Sequence, residues 1–265
     1  MKKMRTDEYI FEHFNIGSLT DIQRMIMAGK VLNNNELVYK ASDKLDPAKA
    51  NIRFKNVKEY VSRGGLKLQH AIRHFNIDLN NKIMLDIGSS TGGFTDCGLK
   101  HGASYIYAVD VGTNQLDYSL RIDERVKVME QTNFKDTDIN DFTRLPELIT
   151  IDVSFTSIVP ILRHIEVLFK QDYSIVALIK PQFESYLEER EAHGIITNLE
   201  THESVINRVI DEANKIGLYA YSLDKSPIKG TKGNVEYLCY LSNVDINNNQ
   251  VRTEDITTIV NLSLI

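Results

Sequence analysis

Asp86-Ile-Gly-Ser-Ser-Thr-Gly-Gly93 follows an apolar stretch, KIML, and opens what reads as a helix. Glycine lets a ligand come close to the backbone, and a helix N-terminus favours an anionic group. The spacing is GxxxGG, unlike the GxGxxG turn that cradles a pyrophosphate. S-adenosylmethionine needs no such cradle, since its methionine carboxylate can take the helix end. Asp110 ends the next strand pattern, YIYAVD, 24 residues after Asp86. A carboxylate there can hydrogen-bond both ribose hydroxyls of an adenosine. Asn133 lies just past VKVME, where a polar group can read the adenine. The candidate cofactor set is Asp86, Gly88, Ser89, Ser90, Thr91, Gly92, Gly93, Phe94, Asp110, Val111 and Asn133. A glycine-rich turn also occurs with no ligand; the turn together with Asp110 points to a nucleoside cofactor, with S-adenosylmethionine and NAD both open.

Lys180 ends the apolar run SIVALI and precedes Pro181. A lysine in that position lies at a ligand-facing edge rather than on a solvated surface. Other constellations are weaker. His70 and His74 stand four residues apart, as two metal ligands on one helix do, but no HExxH glutamate and no third ligand accompany them. They read as the polar face of a helix. Cys97 reads as packing, and Ser154 has no GxSxG elbow around it.

These residues need elements to hold them. Strand and helix patterns alternate from Gly65 onward. Strands are KIMLDIG, YIYAVD, VKVME, LITIDVSF and YSIVALIKPQF; helices are GGFTDCGLKHG, QLDYSLR, IVPILRHIEVLF and THESVINRVIDEANKIG. LYAYSLDKSPI and NVEYLCYLS read as two antiparallel strands ending the sheet. The alternation predicts a mostly parallel, doubly wound sheet with ligands at the C-terminal strand ends. Ahead of it, residues 4–17 read as a short helix. A second is capped by Ser18 or Thr20 and stops at Gly29, and short strands KVL, ELVY and NIRF follow, with a turn at Asn33–Asn35. FKNVKEY reads as a hinge. The expected organisation is 1–58, 59–245, and a tail 246–265 that opens with polar INNNQ and ends in a short helix.

The net charge of −5 argues against a general nucleic-acid binder, but its distribution is uneven. Residues 1–75 hold 14 Lys and Arg against 8 Asp and Glu; the remainder holds 17 against 28. A basic leading segment meeting phosphates and a larger acidic body follow from that asymmetry. Two distant cysteines, Cys97 and Cys239, form no CxxC pair, so a disulfide framework or zinc site is not expected and a reducing cytoplasm fits. No apolar h-region follows the basic start, and no apolar run approaches membrane-span length, so neither signal peptide nor membrane insertion is expected.

SRGGLKL, LDIGSSTGGFTDC, YAVDVG, LIKPQF and SPIKGTKGNVEYL occur in that order. Together they resemble the TlyA family of ribosomal RNA 2′-O-methyltransferases, part of the FtsJ-like group and often catalogued as hemolysin A. The resemblance covers nearly the whole chain. It implies a Rossmann-like S-adenosylmethionine-dependent methyltransferase fold with a mostly parallel seven-stranded sheet, preceded by a small α+β S4-type RNA-binding domain. It also implies a Lys-Asp-Lys-Glu catalytic tetrad, matched here by Lys67, Asp152, Lys180 and Glu236, and ribosomal RNA in ribosomal subunits as substrate, with cytidine the target.

The tetrad makes chemical sense. A ribose hydroxyl is a poor acid, and a neutral lysine is a suitable base. Lysines lose their proton near neutrality when buried or placed beside another cation. Lys180 would be that base, Lys67 the neighbouring cation, Asp152 the group that orients Lys180, and Glu236 an anchor for Lys67 or the ribose. No metal is expected, because a sulfonium is already an activated leaving group.

The S4-like reading rests on Arg5, Asp7, Gln23, Arg24, Met25, Gly29, Lys30, Val31 and Asn34. Arg5, Arg24, Lys30 and Arg63 are the candidate RNA contacts, with Lys55 and Lys58 assisting. The chain departs from the family pattern twice. SLTDIQRMIMAG lacks extra basic residues, and SYLEEREAHGI is acidic where the family carries a basic, glycine-rich loop, so it would repel phosphates. The competing functions are a non-catalytic RNA- or ribosome-binding protein, a haemolysin and a nicotinamide oxidoreductase.

Overall fold

The computed structural model describes residues 3–14, 16–55, 59–189, 194–245 and 250–264. The chain divides into two compact units, 1–58 and 59–265. Lys58, residues 190–193 of the acidic loop and residues 246–249 of the tail lie outside the described residues.

The first unit comprises β1 (Met4–Arg5), α1 (Thr6–His13), α2 (Leu19–Met27), β2 (Val31–Asn33), β3 (Glu36–Leu37), β4 (Lys44–Leu45) and β5 (Ile52–Phe54). The expected first helix starts two residues late. Met4 and Arg5 instead pair with Leu45 and Lys44, and the Thr6 N–H and hydroxyl both donate to Asp43 O at 2.8 Å. Ser18, not Thr20, caps α2 through a reciprocal box with Asp21. Gly29 sits at φ +66°, which lets Lys30 N–H reach Met25 O at 3.0 Å and closes the helix in a Schellman turn. Asn34 and Asn35, both left-handed, turn β2 into β3. Ile10, Ile22, Ile26, Val31 and Val38 form this unit's own core.

The second unit runs α3 (Gly64–His74), β6 (Ile83–Ile87), α4 (Gly93–Lys100), β7 (Tyr105–Val109), α5 (Tyr118–Arg121), β8 (Val126–Met129), β9 (Leu148–Ile151), α6 (Val159–Leu168), β10 (Ser174–Ile179), α7 (Pro181–Glu184), α8 (Leu199–Asn214), β11 (Tyr219–Lys225), β12 (Tyr237–Ser242) and α9 (Thr253–Leu264). Its seven strands lie in the order β11-β12-β10-β9-β6-β7-β8. The pairs among β6 to β10 are parallel; β12 runs antiparallel between β10 and β11.

Alternate side chains bury on opposite faces. Leu85, Ile87, Tyr107, Val109, Ile149 and Ile151 pack against α6 and α8, and Met84, Ile106, Ala108 and Leu148 pack against α3, α4 and α5. The residues set apart as a tail do not stand alone, since Ile256 and Val260 of α9 are buried in the first of these cores. Chain order reverses between β6 and β9, so their C-terminal ends open a crevice at the sheet's switch point.

Candidate active site

Four ionised side chains converge in a cleft of about 650 Å³ at that switch point. Each arrives on a separate element. Lys67 projects from α3, Asp152 follows β9, Lys180 follows β10, and Glu236 immediately precedes β12. Lys67 Nζ donates to Glu236 Oε2 at 2.7 Å and to Asp152 Oδ2 at 3.2 Å. Lys180 Nζ lies 2.5 Å from Asp152 Oδ1 and donates to Val153 O at 2.8 Å. The group is charge-balanced, two ammonium groups against two carboxylates, and nearly withdrawn from solvent. Burial pushes the Asp152 carboxyl up, but the Lys180 and Lys67 charges outweigh it and hold it below the ordinary carboxylate range. Lys67 and Glu236 are both buried, and Asp152 caps no helix, since α6 begins after Ile158.

Glycines set the close approaches. A Cβ on Gly88 would stand 2.6 Å from Asp152 O, and one on Gly93 would stand 2.8 Å from Gly65 N. The first lets the turn abut Asp152; the second lets α4 press on α3 and hold Lys67 over the sheet. A Cβ on Gly230 would overlap the Glu236 carboxylate.

Of the candidate cofactor residues, Gly88, Ser89, Ser90, Thr91, Gly93 and Phe94 line this cleft. Asp110, Val111 and Asn133 line an adjoining cavity of about 370 Å³, which shares Gly88, Ser90 and Asp152 with it. Asp110 accepts from Ser90 N at 2.8 Å and from Gly112 N at 2.7 Å, which fixes its carboxylate beside the turn. Gly92 supports the turn from behind, against Leu116 and Leu120.

Asp86 faces neither cavity. It points to the α4 side of β6, fully buried, and accepts from Thr95 Oγ1 at 2.7 Å and Thr150 Oγ1 at 3.0 Å. Burial raises its carboxyl to about 7.

The cleft holds residues the sequence reading passed over. Phe155 is 91% exposed at its mouth, at φ +64°, and its ring lies 5.1 Å from that of Phe183. Gln182 Oε1 is buried there with no partner among the described residues. Ser154, set aside for want of an elbow, lines both cavities with its hydroxyl 3.4 Å from Lys180 Nζ. An aromatic residue three positions after an aspartate at a strand end was the available signal.

Among the candidate RNA contacts, Arg63 lines the cleft. Arg24 and Lys30 are exposed on the first unit, whereas Arg5 grips the buried Asp7 carboxylate at 2.7 and 2.9 Å, and Gln23 donates to the same group. Part of the acidic loop is neutralised internally, since Glu189 pairs with Arg208 at 3.1 Å. Cys97 and Cys239 are buried and unpaired, each thiol pushed up by burial to about 12. His70 and His74, read without a third ligand, do have one at hand. β11 brings Asp224 beside them.

A doubly wound sheet of this order, with one reversed strand and a polar cleft at its switch point, defines the Rossmann-like class to which many methyltransferases belong. The chain belongs to the FtsJ-like methyltransferase family, whose profile matches residues 60–243. It is 44% identical over 241 residues to a Bacillus subtilis protein called "Putative rRNA methyltransferase YqxC", covering 91% of this chain and 86% of that one. It is 32% identical over 241 residues to the 16S/23S rRNA (cytidine-2′-O)-methyltransferase TlyA of Mycobacterium tuberculosis, covering 91% and 90%. A solved structure, "Putative hemolysin from Streptococcus thermophilus", superposes with a TM-score of 0.75 at 41% identity over 99% of this chain and 96% of that one. Among the described residues, no helix is long and apolar enough to cross a membrane.

Proposed function

We propose that this protein transfers a methyl group from S-adenosylmethionine to the 2′-hydroxyl of a ribose in ribosomal RNA, with cytidine the target nucleotide. The observation that carries the reading is the Lys67–Asp152–Lys180–Glu236 cluster, set between the glycine turn and the cavity that ends in Asp110. A relative at 32% identity bears this activity in its name.

The residues fit the cofactor. The Asp110 carboxylate, already aimed by two backbone N–H groups, keeps lone pairs for ribose hydroxyls. Asn133 offers an amide in the same cavity. When bound, S-adenosylmethionine supplies an electrophilic methyl group on a sulfonium and is left as a neutral thioether. Asp152 provides the anion that tolerates this positive charge nearby. Lys180 first gives its own ammonium proton to solvent and then, as the free amine, takes the proton of the ribose hydroxyl; Asp152 and Val153 O aim its amine, and the Lys67 ammonium, anchored by Glu236, stands as the adjacent cation. The chain's contribution is positioning and fixed charge in a site shielded from water.

The first unit acts as an S4-like RNA-binding domain, presenting Arg24 and Lys30 to phosphates while Arg5 serves its own fold. Folded ribosomal subunits in the cytoplasm are the substrate, recognised by shape more than by linear sequence. The test is incubation with labelled S-adenosylmethionine and unmethylated subunits, followed by mapping of the labelled nucleotide. Label on a ribose 2′-oxygen supports the reading; label on a base overturns it.

A further inference from the structure

Outside the cleft, α3 and β11 bring together three donors of the kind that bind transition metals. His70 and His74 are one helical turn apart, with rings stacked at 5.4 Å and nearly parallel, 11° between planes. Both direct Nε2 at one oxygen of Asp224. His70 Nε2 is 2.6 Å from Oδ2 and His74 Nε2 is 3.6 Å from the same atom. The three ligand atoms all lie within 4.8 Å of one another. The other carboxylate oxygen accepts from Lys225 N at 2.8 Å, which fixes the orientation of Asp224 and leaves Oδ2 to the imidazoles.

A hydrogen bond needs only one of these imidazoles. Two converging on a single oriented carboxylate oxygen is the arrangement that a shared ion between them explains. Ligands about 2.1 Å from a tetrahedral ion stand about 3.4 Å apart. The His74 separation already matches that, and the His70 separation opens to it by less than an ångström. The side chains are 33%, 54% and 25% exposed for His70, His74 and Asp224, so water can complete the shell. Two imidazoles and one carboxylate select a zinc-class ion, whereas magnesium and calcium prefer an all-oxygen shell.

We propose that His70, His74 and Asp224 form a divalent transition-metal site that pins α3 to the edge strand β11. None of the three lines the cleft, so the ion takes no part in the chemistry there. It braces the helix that carries Lys67, which lies three residues before His70.

The full chain, stripped with a chelator, is titrated with zinc by calorimetry and with cobalt by visible absorption. The expected result is one equivalent bound, a cobalt band showing nitrogen and oxygen ligands, and a zinc-dependent rise in thermal midpoint. His74→Gln and Asp224→Asn, changed at part-exposed positions and checked for folding by circular dichroism, should each lose at least about 10-fold in zinc affinity along with the thermal shift. His13→Gln, in the first unit, should bind as the unaltered chain does. Zinc binding of equal stoichiometry and affinity in all three variants would overturn the proposal, as would no binding at all by the unaltered chain. A thermal rise with magnesium but not zinc would overturn the choice of ion.

Discussion

Lys67 and Glu236, 169 residues apart in the chain, meet at 2.7 Å inside the second unit. Removing one member of a buried pair leaves the other charged and unmatched, at a typical cost of about 3 kcal/mol or more. Lys67 still has Asp152 at 3.2 Å, so Glu236→Ala is expected to lower unfolding free energy by somewhat less, roughly 2 kcal/mol, as well as to slow methyl transfer. Urea denaturation beside a methylation assay measures both; an unchanged denaturation midpoint would remove the buried-pair account.

Lys180→Ala should separate binding from chemistry. Transfer to RNA is expected to fall by about 10²-fold or more. Affinity for S-adenosylhomocysteine should stay within a few-fold, because Lys180 does not line the cavity that holds Asp110 and Asn133. Isothermal titration and a tritium-transfer assay read the two quantities, and retained activity would take Lys180 out of the mechanism.

Gly230→Ala leaves all four charged residues in place but puts a methyl group where the Glu236 carboxylate lies. Its φ of −66° suits alanine, so the fold should survive. Activity is expected to drop severalfold or more, and the thermal midpoint to fall by less than in Glu236→Ala, because the carboxylate is shifted rather than removed. Normal activity here would mean that Glu236 needs no fixed position.

Asp86 makes stability depend on pH. Its carboxyl rises from the ordinary 3.8 to about 7 on folding, so the folded chain binds this proton more tightly than the unfolded chain. The resulting stabilisation is complete below about pH 4 and is lost as pH rises toward and through 7, an effect of about 4 kcal/mol. Asp86→Asn, which keeps a polar group between Thr95 and Thr150, should flatten that part of the profile. Denaturation of both proteins from pH 4 to 8 gives the comparison; parallel curves would mean that Asp86 is ionised in the fold.

Phe155 pairs an unfavourable backbone with an exposed ring. Replacing it by glycine should relieve the left-handed strain and stabilise the chain by about 1 kcal/mol. The same change should raise the KM for RNA, because the ring is placed to stack on a base at the cleft mouth. Opposite movements of stability and RNA affinity are the signature sought; an unchanged KM would make the ring incidental.

Much of the second unit was legible because its strands are short apolar runs closed by glycine or a polar turn, and the switch point follows from their alternation. Lys180 was legible for the same reason, standing between an apolar strand and a proline. Asp86 misled because it opens the glycine motif, although the two-residue period of its strand puts it on the face of Met84, toward α4. Asp224 was invisible beside His70 because 154 residues separate them, and only the sheet's placement of β11 brings them together. The start of α1 was missed because the pairing of Met4 with Leu45 is non-local and outweighs a helical pattern.

Among the described residues β12 is the last strand made, yet it slots between two earlier ones and carries Glu236 at its foot. The nascent chain therefore cannot assemble its charged quartet until translation has passed residue 236 and β12 has found its slot. A product truncated before that point keeps the glycine turn and three of the four charges but leaves Lys67 without its nearest counterion. Incomplete copies should thus transfer no methyl group, and two fragments divided ahead of β12 should regain activity only by joining.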